Sequence, residues 1–136
     1  MRLSTCIAAS FALLTVAVAP LTAHAQVQSR PRSLTPQERT FVTMFNQLMS
    51  DKPNRLVQFV TEWGKADDGQ MVCAALGVGK SVEEIHDATL EKSVTLPDPS
   101  LQQEFREYSN GIIVVATNSL CPQFSGALDQ YLESQR

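Results

Sequence analysis

The chain is poor in the residues that carry most enzymatic chemistry, and each shortage removes a class of function. Histidine occurs only at positions 24 and 86, and cysteine only at positions 6, 73 and 121. Past residue 25 no Ser or Cys nucleophile is paired in sequence with a second histidine, so a nucleophile-base relay lacks its parts. Positive charge is also short, at 11 Lys+Arg against 14 Asp+Glu. Both signs are scattered and form no basic stripe, which argues against nucleic acid as a partner. Internal repeats and low-complexity tracts are absent.

What is present begins with an export signature. Arg2 supplies a positive n-region, Ile7 to Ala19 an apolar stretch, and Ala23-His24-Ala25 a small-x-small cleavage site. The apolar run falls short of the roughly 20 residues that span a bilayer, and polar Gln26, Gln28, Ser29 and Arg30 follow it at once. Residues 1–25 therefore read as a secretory signal peptide, with no stable membrane anchor left after cleavage. Cys6 lies before the apolar run, on the wrong side for a lipid-anchored cysteine, and leaves with the signal. The expected location is periplasmic or extracellular.

Cleavage removes 25 of 136 residues and leaves 111, one domain of ordinary size. Loss of Arg2 takes the balance to 10 Lys+Arg against 14 Asp+Glu, a net charge near −4. In an oxidising compartment the two remaining cysteines allow one intramolecular pair, Cys73 with Cys121. Neither has a C-x-x-C partner that would favour redox work. A cross-link over 48 positions stabilises by about 4 kcal/mol in the chain-entropy treatment.

Residues 26–34, with Pro31 and little to bury, read as a flexible leader, and 35–133 as a single helical domain. Thr35-Pro36-Gln37-Glu38 is a capping box with proline at the first helical position, followed by Phe41, Met44, Phe45, Leu48 and Met49 at three- and four-residue steps. A second stretch from Leu56 to Trp63 is expected to break at Gly64, and a third runs from about Ala66 to Leu76, with Met71, Val72, Cys73 and Leu76 on one side. Gly77 and Gly79 stop it. Ser81-Val82-Glu83-Glu84 opens a short helix with Val82, Ile85, Thr89 and Leu90 inward, and Ser93 to Leu96 reads as extended. Asp98-Pro99 starts a long helix whose seam is Leu101, Phe105, Tyr108, Ile112, Val115, Ala116 and Leu120. Asn110-Gly111 before Ile112-Ile113-Val114-Val115 also fits a hairpin and strand, which would give an α+β fold. The unbroken seam across Gly111 favours helix. Pro122 ends it, and a last helix from about Phe124 to Leu132 packs Phe124, Leu128 and Tyr131 back. The expected fold is all-α, a small four- to five-helix bundle stapled by one disulfide.

Few motifs tempt a chemical reading. Ala74 to Ser81 fits a relaxed P-loop with alanine for its first glycine, but the segment before it is helical where a P-loop needs a strand. His86 with Glu83 and Asp87 offers too few ligands for a metal site. Glu62, Glu104 and Glu107 are the carboxylates that a hydrolase would draw on, although solvated helix faces carry such residues by default. Phe59, Trp63 and Phe105 are the candidate lining of an interhelical ligand pocket, with Trp63 more readily assigned to the core. Met44, Met49 and Met71 read as gap-fillers. No cofactor, metal or catalytic residue is expected.

The pattern Ala66-x-x-Gly69-x-x-Val72-Cys73-x-x-Leu76-x-x-Gly79, with Cys121-Pro122 later, resembles the domain-of-unknown-function family seven-hundred-and-thirty-two, a group of small exported bacterial proteins. The likeness spans roughly Phe41 to Gln123 and departs in Leu120, where an aromatic is usual. It implies a helical, disulfide-linked exported domain and brings no activity, cofactor or catalytic residue. The functional expectation is thus a non-enzymatic module that binds a protein or envelope component. A small apolar-ligand carrier comes second, and a carboxylate-based hydrolase third.

Overall fold

A computed structural model describes residues 32–136. The expected signal peptide and most of the leader lie outside the described residues. Helix α1 (Pro36–Leu48) opens with both halves of its capping box: the Glu38 amide donates to Thr35 Oγ1 and the Thr35 amide to Glu38 Oε2, at 3.2 and 2.8 Å. The buried arc of α1 is Glu38, Phe41, Val42 and Phe45, continued by the capping residue Met49. Met44 and Leu48, expected inside, stand exposed at the edge of that arc because the neighbouring helices approach from the side of Val42.

Helix α2 (Arg55–Phe59) is short and capped by buried Asn54, whose Oδ1 accepts from the Leu56 and Val57 amides while Nδ2 donates to the Glu104 carbonyl. The break expected at Gly64 falls instead at Val60–Thr61, because the Thr61 hydroxyl caps α3 (Glu62–Gly77) by accepting from the Gly64 amide. The inward face of α3 is Ala66, Gly69, Val72 and Leu76, steps of three, three and four. These are the apolar and glycine positions of the motif that precedes and follows Cys73. Past Gly77 the Lys80 amide bonds to the Ala75 carbonyl and the Gly79 amide to that of Leu76, a Schellman closure. It requires a left-handed residue, and Gly79 supplies φ +90°.

Helix α4 (Val82–Ser93) carries the second capping box, Ser81 with Glu84. Its only fully buried residues, Val82 and Ser93, lie at its two ends. The segment expected to be extended, 93–96, is helix end and turn: amides of Val94, Thr95 and Leu96 bond back to Leu90, Lys92 and Ser93. Local hydrogen bonding there outcompetes the β-propensity of Val94 and Thr95.

Helix α5 (Pro99–Ser119) starts at Asp98 and Pro99 as expected and runs through Gly111 without interruption, so 110–116 is helix and not strand. It packs against α1, α2, α3, α4 and the last helix, and being surrounded it buries Ile112, Ile113, Val115 and Ala116 together. That enclosure explains the β-branched run. A 3₁₀ turn at Pro122–Phe124 leads into α6 (Ser125–Ser134), which folds back at 104° and buries Leu128. Among the described residues there are six α-helices and no strand, and no single helix is long and apolar enough to cross a membrane. Cys73 and Cys121 are disulfide-bonded, with Cα atoms 5.8 Å apart, which ties the last third of α3 to the turn just past α5.

Candidate functional site

A groove of about 490 Å³ lies between α3, α4 and α5. Its floor is Val72 of α3 with Ile112 and Ile113 of α5, its outer wall is Ile85, Ala88 and Thr89 of α4, and Met71 and Ala75 form the α3 rim. Met71, expected on the buried side of α3, is 64% exposed at this rim. The volume lies within the range of small-molecule sites, and the walls have the expected apolar character.

Four charged side chains and one phenol interrupt the apolar lining. The Tyr108 hydroxyl donates to Asp68 Oδ2 at 2.7 Å. Burial pushes the Asp68 carboxyl above its ordinary range, partly offset by that hydrogen bond, and burial with the neighbouring carboxylate pushes the Tyr108 phenol strongly up. Lys80 pairs with Glu84 at 3.1 Å. Lys92 sits with Nζ 5.8 Å from the centroid of the Phe105 ring.

Of the three pocket residues expected from sequence, Phe105 alone lines this groove. Phe59 is 78% exposed at the end of α2, and Trp63 is half-buried and outside the core cluster. Phe59 belongs to α2, which does not border the groove, and Trp63 lies in the first turn of α3, ahead of the stretch from Asp68 to Ala75 that lines it. Asp68, Tyr108 and Lys92 were not read as site residues, since Asp68 and Tyr108 are 40 positions apart and carry no joint motif.

The expected carboxylates divide. Glu104 and Glu107 share a depression of about 400 Å³ beside Asp51 and Lys52, but Glu62 does not line it. Glu104 is committed to Arg55, accepting from its backbone amide at 2.8 Å and from Nε at 2.9 Å. Glu107 accepts from Gln103 at 3.1 Å. His86 packs against Tyr131, with ring centroids 5.6 Å apart, and stands 3.6 Å from Asp87. The P-loop-like segment is the helix end, Schellman turn and capping box already described.

A family model described as protein of unknown function, DUF732, matches residues 37–123, more than half of the chain. The chain belongs to the DUF732 family. The DUF732 match takes in both cysteines and every wall of the groove. No curated protein and no solved structure matches this DUF732 chain.

Proposed function

We propose that this protein is an exported, non-enzymatic binding module that holds a predominantly apolar small molecule between α3, α4 and α5. The observation that carries the reading is the groove of about 490 Å³ with aliphatic floor and wall. Sites of that size and lining bury most of a small ligand's surface and fix it with few polar groups. The Cys73–Cys121 bond favours an oxidising compartment, which supports export. The commitments of Glu104 to Arg55 and of His86 to Tyr131 favour structural roles for those groups over acid-base chemistry. A concave apolar groove favours a small molecule over the protein or envelope partner expected first from sequence.

The test is a titration with N-phenylnaphthylamine, an uncharged fluorophore that brightens in apolar surroundings. Saturable brightening at one probe per chain is expected, and Ala88→Trp, an exposed α4 position on the groove, should abolish it while leaving the far-UV spectrum unchanged. A flat titration of the unaltered protein, or brightening indifferent to Ala88→Trp, would sink the reading. Trp63 emission is the wrong reporter, since Trp63 does not line the groove.

A further inference from the structure

We propose that the occupant is a single-chain amphiphile with an anionic head, the head at Lys92 and the chain laid along α4 toward Lys80. This rests on the groove being a small-molecule site. Lys80 stands just before α4 and Lys92 in its last turn, ten positions past Val82 or about 15 Å at the helical rise, so the two lysines mark opposite ends of the α4 wall. At about 490 Å³ the groove lies in the lower half of the usual range and suits one chain better than a multi-chain lipid.

The charges select the head. Four charged groups line the groove: Asp68, Lys80, Glu84 and Lys92. Lys80 and Glu84 neutralise one another at 3.1 Å. Asp68 is half-buried in the α3 wall and already accepts the Tyr108 hydroxyl. Lys92 is exposed and makes no ion pair with the described residues, while its Nζ stands 5.8 Å from the Phe105 ring centroid. An ammonium in water at the mouth, with its stem along an apolar wall, offers the boundary an amphiphile's head occupies. A cationic head would be repelled by Lys92 and would find both lining carboxylates engaged, Asp68 by the Tyr108 hydroxyl and Glu84 by Lys80.

The experiment displaces N-phenylnaphthylamine from delipidated protein with palmitate, hexadecanol or hexadecylamine. Palmitate should compete about fivefold better than hexadecanol, the scale of one solvent-exposed ion pair. Lys92→Glu should erase that preference and Lys92→Arg and Lys80→Gln should keep it, with hexadecanol competition by each variant certifying an intact groove. Equal competition by palmitate and hexadecanol, a preference for hexadecylamine, or a preference lost in Lys80→Gln rather than Lys92→Glu would overturn the proposal while leaving the groove an apolar site. Failure of the probe to bind the unaltered protein would overturn the reading beneath it.

Discussion

The Phe45 ring of α1 lies against the backbone of Gly111 in α5, so closely that a Cβ added there would stand 2.9 Å from Phe45 Cε2. A parallel contact joins Phe41 to Gly69 of α3, where an added Cβ would stand 2.8 Å from Phe41 Cζ. Two stacked rings of one helix, 6.3 Å between centroids, thus set the distance of α1 from both neighbours. Glycine at 111 is a packing requirement, since its conformation is ordinary helix.

Gly111→Ala should therefore destabilise although it improves helix propensity. The gain is about 1 kcal/mol, and overpacking against fully buried Phe45 costs about 1–3 kcal/mol. Gly77→Ala is the contrast, because nothing lies within 4 Å of a Cβ there. Thermal melts should show Tm falling for the first and holding or rising for the second. A rise for Gly111→Ala would mean the Phe45 ring yields.

Removing the disulfide should cost up to about 4 kcal/mol, given its span of 48 positions. For a domain of this length the full amount would lower Tm by more than about 10 °C. Melts with and without reductant, and of Cys73→Ala/Cys121→Ala, measure it. A shift of a degree or two would show that the unfolded chain gains little freedom from the broken bond.

Acid should act through Glu38. The Arg32 guanidinium, bidentate at 2.8 Å to each oxygen, together with the Thr35 amide, holds this buried carboxyl down at about 2. Its folded value lies below its unfolded one, so its stabilisation is present above the ordinary carboxylate range. That contribution is lost as pH falls toward 2. Glu38→Gln should flatten the dependence of Tm on pH between about 5 and 2. An unchanged slope would move the acid sensitivity elsewhere.

Asp68 has the opposite sign. Its folded value is raised, so the stability it contributes in acid is lost as pH climbs through that value, and at neutral pH its buried charge is a penalty. Asp68→Asn keeps an acceptor for Tyr108 and should raise Tm at pH 7 more than at pH 4. Tyr108→Phe should lower Tm at pH 7 by leaving the carboxylate unmatched, about 1–3 kcal/mol. Equal effects of Asp68→Asn at both pH values would count against a buried charge.

Local signals served the helix starts well, because Thr35, Ser81 and Asp98 each act within three residues of their partners. Rotation about a helix axis was less legible. Met44, Leu48 and Met71 all satisfy an apolar spacing, and only the neighbours' approach decides that they face outward. The groove was legible only through Phe105, since Asp68, Tyr108 and Lys92 meet through the crossing of three helices. Buried Lys65 is a similar case: its Nζ donates to Asn46 at 2.8 Å and lies 5.8 Å from the Phe45 ring centroid, a partnership invisible along the chain.

Helix α4 is anchored at Val82 and Ser93 and has no fully buried residue between them. Between those ends it touches the rest of the molecule through partly buried side chains, Ile85 on the core and His86 on Tyr131, above a floor of Val72, Ile112 and Ile113. Widening the groove at its middle would therefore uncover less apolar surface than parting the helix at either end.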